Sequence, residues 1–382
     1  MRRTSLMIVV FGLFLLAQTA QADWSATKRI TWTSGGSYEP AIAMDSSDNL
    51  HVVWQDFTPG NREIYYKRST DGGASWGASK RLTWTSGESF SPALAIDSGD
   101  AIHVVWYDDT SGEYEVYYKR SEDGGTNWSS TERLTWTSGI SLHPAIAIDS
   151  SSTIHVVWED HTPGNADIYY KASTNGGTTW SAAKRLTWTS GQSFLPAIDA
   201  DSSDGIHVIW QDHTDGNGEV YYKASADGGT TWSAAKRLTW TSGESYGPGI
   251  SIASNGAIHI VWYDDSLVNL EIYYKRSTDG GATWSVSQRL TWTLGDSLYP
   301  ATSIDSSDAI HIVWQDDTPG SDEIYYKKST DGGITWSSAQ RRTSTPGYSE
   351  APAVAIDSGD IIHIVWQCDT PGNYEIYYKN GN

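Results

Sequence analysis

Cysteine is almost missing from this chain. Cys368 is the only one in 382 residues, so no intramolecular disulfide framework can hold the fold together and stability must come from packing. Basic residues are scarce against acids, 26 to 46. That balance argues against nucleic acid and anionic membranes as partners and fits solubility outside the cell; cation binding or attraction of basic partners is the other use of such charge. Phenylalanine is rare, at 5, whereas tryptophan and tyrosine reach 20 and 22, so many core residues carry a polar handle. Helical periodicity is absent, and no apolar run is long enough to span a bilayer.

The one sustained apolar run lies at the start. Residues 1–22 read as a secretory signal peptide: Arg2 and Arg3 are its basic beginning, Leu6 to Ala17 its apolar stretch and Ala20-Gln21-Ala22 its cleavage pattern. Cleavage near Ala22 leads to the expectation of a soluble, exported protein, secreted, periplasmic or held at the cell surface. No cysteine follows the site, so a lipid anchor of the bacterial lipoprotein kind is not indicated. Loss of Arg2 and Arg3 takes the basic count from 26 to 24 against 46 acids, a formal charge of −22.

What the chain does have is a period of 52 residues. Ser69-Thr70-Asp71-Gly72-Gly73-Ala74-Ser75-Trp76 returns with its aspartate and tryptophan at Asp123 and Trp128, Asp227 and Trp232, Asp279 and Trp284, and Asp331 and Trp336; the third copy has Asn175 with Trp180. A seventh copy is split, because Trp24 lies 52 residues before Trp76. The local physics is that of a hairpin turn. Asp71 accepts hydrogen bonds from nearby backbone N–H groups, Gly72-Gly73 permits positive φ, and Trp76 can fold back over the turn. Ser-x-Asp-x-Gly-x-x-Trp resembles the Asp-box, or BNR repeat, of the sialidase-like β-propellers. The resemblance covers the chain after the signal and implies a propeller whose Asp-boxes sit on the face away from any active site.

One repeat contains four strand candidates, Pro92 to Asp97, Ile102 to Tyr107, Glu115 to Arg120 and Glu132 to Trp136, bounded by Gly, Asp, Ser and Pro. Four antiparallel strands per repeat make a propeller blade. The tryptophan near the end of the second strand recurs at Trp54, Trp106, Trp158, Trp210, Trp262, Trp314 and Trp366, which predicts seven blades. Val104-Val105-Trp106 is apolar on both sides, as stacked blades require. The expectation is an all-β, seven-bladed β-propeller over residues 23–382, closed by pairing the N-terminal strand, Lys28 to Trp32, with the C-terminal blade, which otherwise leaves an open edge.

Variation between repeats concentrates on the loops that open each blade. The positions two before the opening proline read Tyr38, Phe90, Leu142, Phe194, Tyr246, Leu298 and Glu350; the next ones read Glu39, Ser91, His143, Leu195, Gly247, Tyr299 and Ala351. A constant scaffold with a varied rim is the pattern of a binding surface. Sialidases open their first blade with Phe/Tyr-Arg-Ile-Pro, whose arginine belongs to a three-arginine clamp on a carboxylate. Aligned on the proline, none of the seven positions here is arginine. Arg29, Arg81, Arg133, Arg185, Arg237, Arg289 and Arg341 fall in the outermost strand, and Arg68, Arg120 and Arg276 in the third.

Candidate contact residues are Trp32, Trp84, Trp136, Trp188, Trp240 and Trp292, which end the fourth strand with Ser344 in the seventh place, together with Tyr38, Phe90, Phe194 and Tyr246. Sugar C–H faces stack on such rings; inter-blade packing is the structural alternative. Asp56, Asp108, Asp160, Asp212, Asp264 and Asp316 follow the second-strand tryptophan by two and are replaced by Cys368 in the last repeat. They can bind sugar hydroxyls, help hold Ca²⁺, or cap the following turn. His51, His103, His155, His207, His259, His311 and His363 stand one per blade, too far apart to chelate together, so a core role bonded to the next blade is expected.

Near-identical blades suit repeated weak sites multiplied by avidity. The reading is an exported, monomeric, non-catalytic binding module for glycans or glycoproteins, with no catalytic residue assigned, no cofactor, and Ca²⁺ left open. An exo-acting, sialidase-like glycoside hydrolase and a cell-surface protein scaffold are the alternatives.

Overall fold

The computed structural model describes residues 24–58, 60–162 and 164–382; the signal peptide expected over residues 1–22 lies outside them. Its strands assemble into seven four-stranded antiparallel sheets. Blade two is representative, with strands Ser89–Ile96, Ile102–Asp108, Glu115–Ser121 and Glu132–Arg133 running outward from the axis. No helix occurs among the described residues, and none is long and apolar enough to cross a membrane. The seventh sheet combines Ser349–Ile356, Ile362–Cys368 and Glu375–Gly381 with the N-terminal pair Lys28–Arg29, which aligns Lys28 with Tyr378 and Arg29 with Tyr377.

The second strand is buried along its length because neighbouring blades cover both of its faces. Ile102, Val104 and Trp106 pack against Val53, Ile64 and Leu82 of blade one. Val105, of opposite parity, joins Val116 and Leu134 against Ile154, Val156 and Trp158 of blade three. Alternation thus serves two interfaces, and the core is a ring of seven such clusters.

The outermost strand is shorter than expected. Its pairing covers only Glu132–Arg133, although the Leu134 amide still bonds the Val116 carbonyl at 2.7 Å. Thr135 then turns its hydroxyl to the fully buried Glu115 carboxylate, which also takes the Thr137 amide at 2.9 Å and the Arg133 guanidinium at 2.6 Å. Trp136 therefore sits in a turn and not in a strand.

Each Asp-box ties its blade to the one before. Asp123 accepts from the Ser121 hydroxyl and the Asn127 amide, at 2.9 and 2.7 Å. Trp128 folds back to donate to the Gly125 carbonyl at 3.2 Å and meets Tyr66 of blade one edge-on, with centroids 5.1 Å apart. Gly125 has φ +83°, and a Cβ there would stand 2.2 Å from the Tyr66 hydroxyl oxygen. Gly125→Ala is therefore expected to cost about 2 kcal/mol, from overpacking added to left-handed strain, measured as a lowered urea midpoint.

On the same face, Ser46 of blade one binds both carboxylate oxygens of Asp100 in blade two at 2.8 Å. Equivalent clasps run from Ser150 to Asp204, Ser254 to Asp308, Ser306 to Asp360 and, across the closure, Ser358 to Asp48. The ring is thus held by side chains as well as by its cores.

Candidate functional site

Two places collect the candidate residues. The first is the mouth of the central channel on the face opposite the Asp-boxes, a cavity of about 390 Å³ whose wall includes the seven opening prolines. The strand register shifts just before each proline, and the residue there takes a left-handed φ of 45° to 50° in every blade. Six of these seven are not glycine, and such a conformation costs about 1–3 kcal/mol per residue unless its surroundings impose it. The imposing contact comes from the preceding blade. Gln55 accepts the Ser91 amide at 2.9 Å, Glu159 that of Leu195 at 3.1 Å, Gln315 that of Ala351 at 2.9 Å and Gln367 that of Glu39 at 2.9 Å.

The mouth is not symmetric. Over blades one to three the Ser91 hydroxyl donates to Glu39 at 2.6 Å, and the His143 ring lies 5.5 Å from that of Tyr107 and 3.2 Å from a Glu159 oxygen. Burial opposes charge on both partners of that pair. Glu159 nevertheless raises the His143 pKa above the ordinary histidine value, while His143, His161 and the Leu195 amide bring Glu159 down to about 2. On the far side Tyr299 and Tyr263 make an aromatic wall, their centroids 5.6 Å apart, with Tyr246 stacked behind Tyr263 at 5.3 Å. Asp322 of blade six, which accepts a long hydrogen bond from the Gln315 side chain at 3.4 Å, is pushed up to about 6 by burial and by Glu350.

The first variable series stands behind this lining. Tyr38 packs on Tyr374, Phe90 on Tyr107 and Tyr114, Phe194 on His213 and Tyr246 on Tyr263, all half-buried. Arg62, which the sequence argument passed over, lies 4.8 Å over the Phe90 ring and pairs with Glu88 at 3.0 Å. The mouth position that sequence reasoning missed is the one directly after the second-strand tryptophan: Gln55, Tyr107, Glu159, Gln211, Tyr263, Gln315 and Gln367. Its variation inside an otherwise constant strand was the available signal.

The six aspartates set one residue further along do not open onto the rim. Asp56, Asp160, Asp212 and Asp316 are fully buried or nearly so, and Asp108 and Asp264 likewise. One oxygen of Asp56 takes the Thr58 amide and the other takes the Ser37 hydroxyl, both at 2.8 Å; Asp108 does the same with Thr110 and Ser89. Both carboxylate oxygens are taken up within the blade and the residues are closed to solvent, so of the roles open to them they perform the turn cap, and ligand contact is corrected. The seven histidines also differ from expectation. His103 bonds the Tyr118 hydroxyl of its own blade at 2.7 Å, and it is that tyrosine which reaches the next blade, at the Gly176 carbonyl. No group of three metal-binding side chains occurs among the described residues.

The second place is the circumference. Trp32, Trp84, Trp136, Trp188, Trp240 and Trp292 are each 66–69% exposed. Every one lies at a blade junction between an arginine of its own blade, 5.6–5.8 Å from the ring, and a lysine of the next, 5.4–5.9 Å away. Neither cation is free. Arg133 is paired with Glu115, and the half-buried Lys171 donates to the Leu134 carbonyl at 2.5 Å. At the seventh junction Ser344 stands instead, and Arg342 stacks on Trp24 at 4.1 Å.

Solved structures share this architecture. An ulvan lyase of polysaccharide lyase family PL25 superposes with a TM-score of 0.65 at 12% identity, over 92% of this chain and 95% of its own. A protein of unknown function from Dyadobacter fermentans matches at 0.56 and 11%, over 93% and 99%. The NanB sialidase of Streptococcus pneumoniae matches at 0.51 and 14%, over 92% of this chain and 70% of that one. At such identities the likeness speaks to fold alone. No curated protein matches the chain. The profile of the BNR repeat-like domain matches residues 14–260 and 206–365, and the chain belongs to that family.

Proposed function

We propose that this propeller is an exported, non-catalytic, multivalent glycan-binding module whose contacts are the circumferential tryptophans. The observation that carries the reading is six equivalent indoles, each leaving about two-thirds of its surface in water at a blade junction. A buried tryptophan contributes 150–250 Å² of apolar contact, so six left open and identically placed mark a surface kept for a partner. The neighbouring charges are already satisfied within the protein, which favours neutral pyranose faces stacking on the rings. The carbohydrate-active propellers among the structural neighbours support the same class of ligand.

The mouth supports a second reading, an exo-acting glycoside hydrolase. Glu159, held near 2 by His143, His161 and the Leu195 amide, and Asp322, raised to about 6 by burial and Glu350, are one ionised and one protonatable carboxyl in separate blades, and acid–base chemistry on a glycosidic bond uses one of each. One experiment separates the two. Calorimetric titration with neutral oligosaccharides is expected to give several equivalent weak sites, up to six, and no released sugar. Trp240→Ala is expected to remove one site at unchanged affinity, and Ser344→Trp to add one. Sugar release that Glu159→Gln or Asp322→Asn abolishes, with the tryptophan variants silent, overturns the binding reading in favour of the hydrolase.

A further inference from the structure

Blade five departs from its sisters at the turn between its first two strands. In the other six blades an aspartate there, such as Asp45 or Asp305, places a carboxylate oxygen 3.0–3.3 Å from Nε2 of the second-strand histidine. The other oxygen takes a turn amide, as Asp45 takes that of Ser47 at 3.0 Å. Blade five has Ala253 instead. His259 keeps its Tyr274 partner at 2.7 Å and is only 2% exposed, yet its Nε2 has no partner among the described residues. Asn255 substitutes in part by accepting the Ala257 amide at 2.9 Å, while its own amide, the counterpart of that of Ser47, makes no bond.

A cavity of about 440 Å³ opens at this turn between blades five and six, with His259, Arg276 and Thr278 in its lining. Two carboxylates share the wall and both are occupied. Asp308 takes the Ser254 amide and the Asn255 side chain at 2.8 and 2.9 Å, and Asp331 is held within its Asp-box by Ser329 and Thr335. Arg276, whose guanidinium reaches the Gly332 carbonyl, is the cation on the cavity.

We propose that this cavity binds a small carboxylate, which supplies from outside the group that the six sister blades supply from the chain. The sisters are the template for the contact: one oxygen lies against Nε2 of His259, whose Nδ1 is paired with the Tyr274 hydroxyl, and the second oxygen faces the unbonded Asn255 backbone N–H. Arg276 offsets the ligand's charge, and the cavity is wide enough to admit whatever the carboxylate is attached to. The site lies on the Asp-box face, away from the channel mouth, and is independent of the glycan reading.

The test is a titration of the whole protein with sodium acetate against sodium chloride at equal ionic strength, near pH 7.5, followed by thermal melting and calorimetry. Acetate is expected to raise the midpoint saturably, with one site per chain. Ala253→Asp is expected to raise the midpoint unaided and to abolish the acetate response, because the chain then fills its own site. Arg276→Ala is expected to weaken acetate about tenfold with the fold retained, since blades three and four already carry Ala172 and Ala224 at that register. Glucuronate and a dipeptide with a free C-terminus, run as separate arms, distinguish a sugar acid from a peptide as the source. Identical responses to acetate and chloride, or an Ala253→Asp protein that responds like the parent, mean that the cavity holds water only and overturn the proposal.

Discussion

Arg133→Met is expected to lower the stability of the propeller by about 3–5 kcal/mol, although arginine at that position is partly open to solvent. The partner decides the cost. Glu115 is fully buried, and its carboxylate gathers Arg133, Thr135 and the Thr137 amide, so removal of the guanidinium leaves a charge inside the blade without its counter-ion. The double change Arg133→Met with Glu115→Leu should recover only part of the loss, because the unpaired charge is gone but the Thr135 hydroxyl and the Thr137 amide lose their acceptor. Urea midpoints at unchanged m measure both. The same carboxylate fixes the turn that presents Trp136, so the single variant should also alter Trp136 fluorescence and the sugar site proposed there. A loss below about 1 kcal/mol would class the pair with ordinary surface bridges. The arrangement recurs in all seven blades, from Arg81 with Glu63 to Arg29 with Glu375, so each blade offers an independent repeat of the measurement.

Stability is expected to fall as pH drops below about 6.5, well before carboxylates in general protonate. Burial lowers the pKa of all seven second-strand histidines, to about 4 for His259, which lacks an aspartate partner. The unfolded chain takes up protons near 6.5 that the folded one refuses, so stability rises with pH between the folded values and 6.5 and is lost on acidification through that window. His143 acts in the opposite sense, because its pKa is raised. Its contribution is present below the ordinary value and disappears as pH climbs through the folded one. Asp199, pushed up to about 7 by burial, Asp322, pushed up to about 6 by burial and Glu350, and Glu132, raised by burial, likewise favour the folded state at low pH, but with His143 these are four groups against seven. Below about pH 4 a second loss begins. Asp71, Asp227, Asp279 and Asp331 are held near 2 by hydrogen bonds within their Asp-boxes, and those contributions vanish as pH falls through the folded values. Urea midpoints at pH 8, 6, 5 and 4 test this profile, and a flat response from pH 7 to 5 would refute the histidine account.

The period of 52 carried most of the fold, because every blade repeats one solution and a fixed spacing leaves no freedom in blade number or closure. It carried less of the outer strand. Alternation from Glu132 to Trp136 reads as continuous pairing, and only the position of Glu115 in space shows that Thr135 and Thr137 are drawn away. The site divides in the same manner. Trp136 and its equivalents were legible as contact candidates from type and recurrence, yet their exposure depends on where the chain turns after Arg133. Asp108 and Tyr107 are neighbours in sequence with opposite fates, since a strand sends successive side chains to opposite sides. Type alone leaves the aspartate open to ligand contact or turn capping; in space its carboxylate is taken up by the Thr110 amide and the Ser89 hydroxyl, whereas Tyr107 packs against His143 of the mouth. Ala253 is legible only by subtraction, as the one missing acid among seven turns.

The closing strand has a consequence for the history of the molecule during its own synthesis. Lys28–Arg29 is made before the intervening blades and its partner Glu375–Gly381 after them, so the nascent propeller carries an unmatched edge until the last blade has been synthesised. Six blades draw on neighbouring sequence and can form in turn, whereas the seventh depends on a contact between residues 28 and 378, the kind of long-range pairing that slows folding. Because the blades are so alike, the waiting strand of one copy fits the last blade of another equally well. Crowded ribosomes or concentrated refolding should therefore yield exchanged dimers, with the same bonds made between two chains instead of within one.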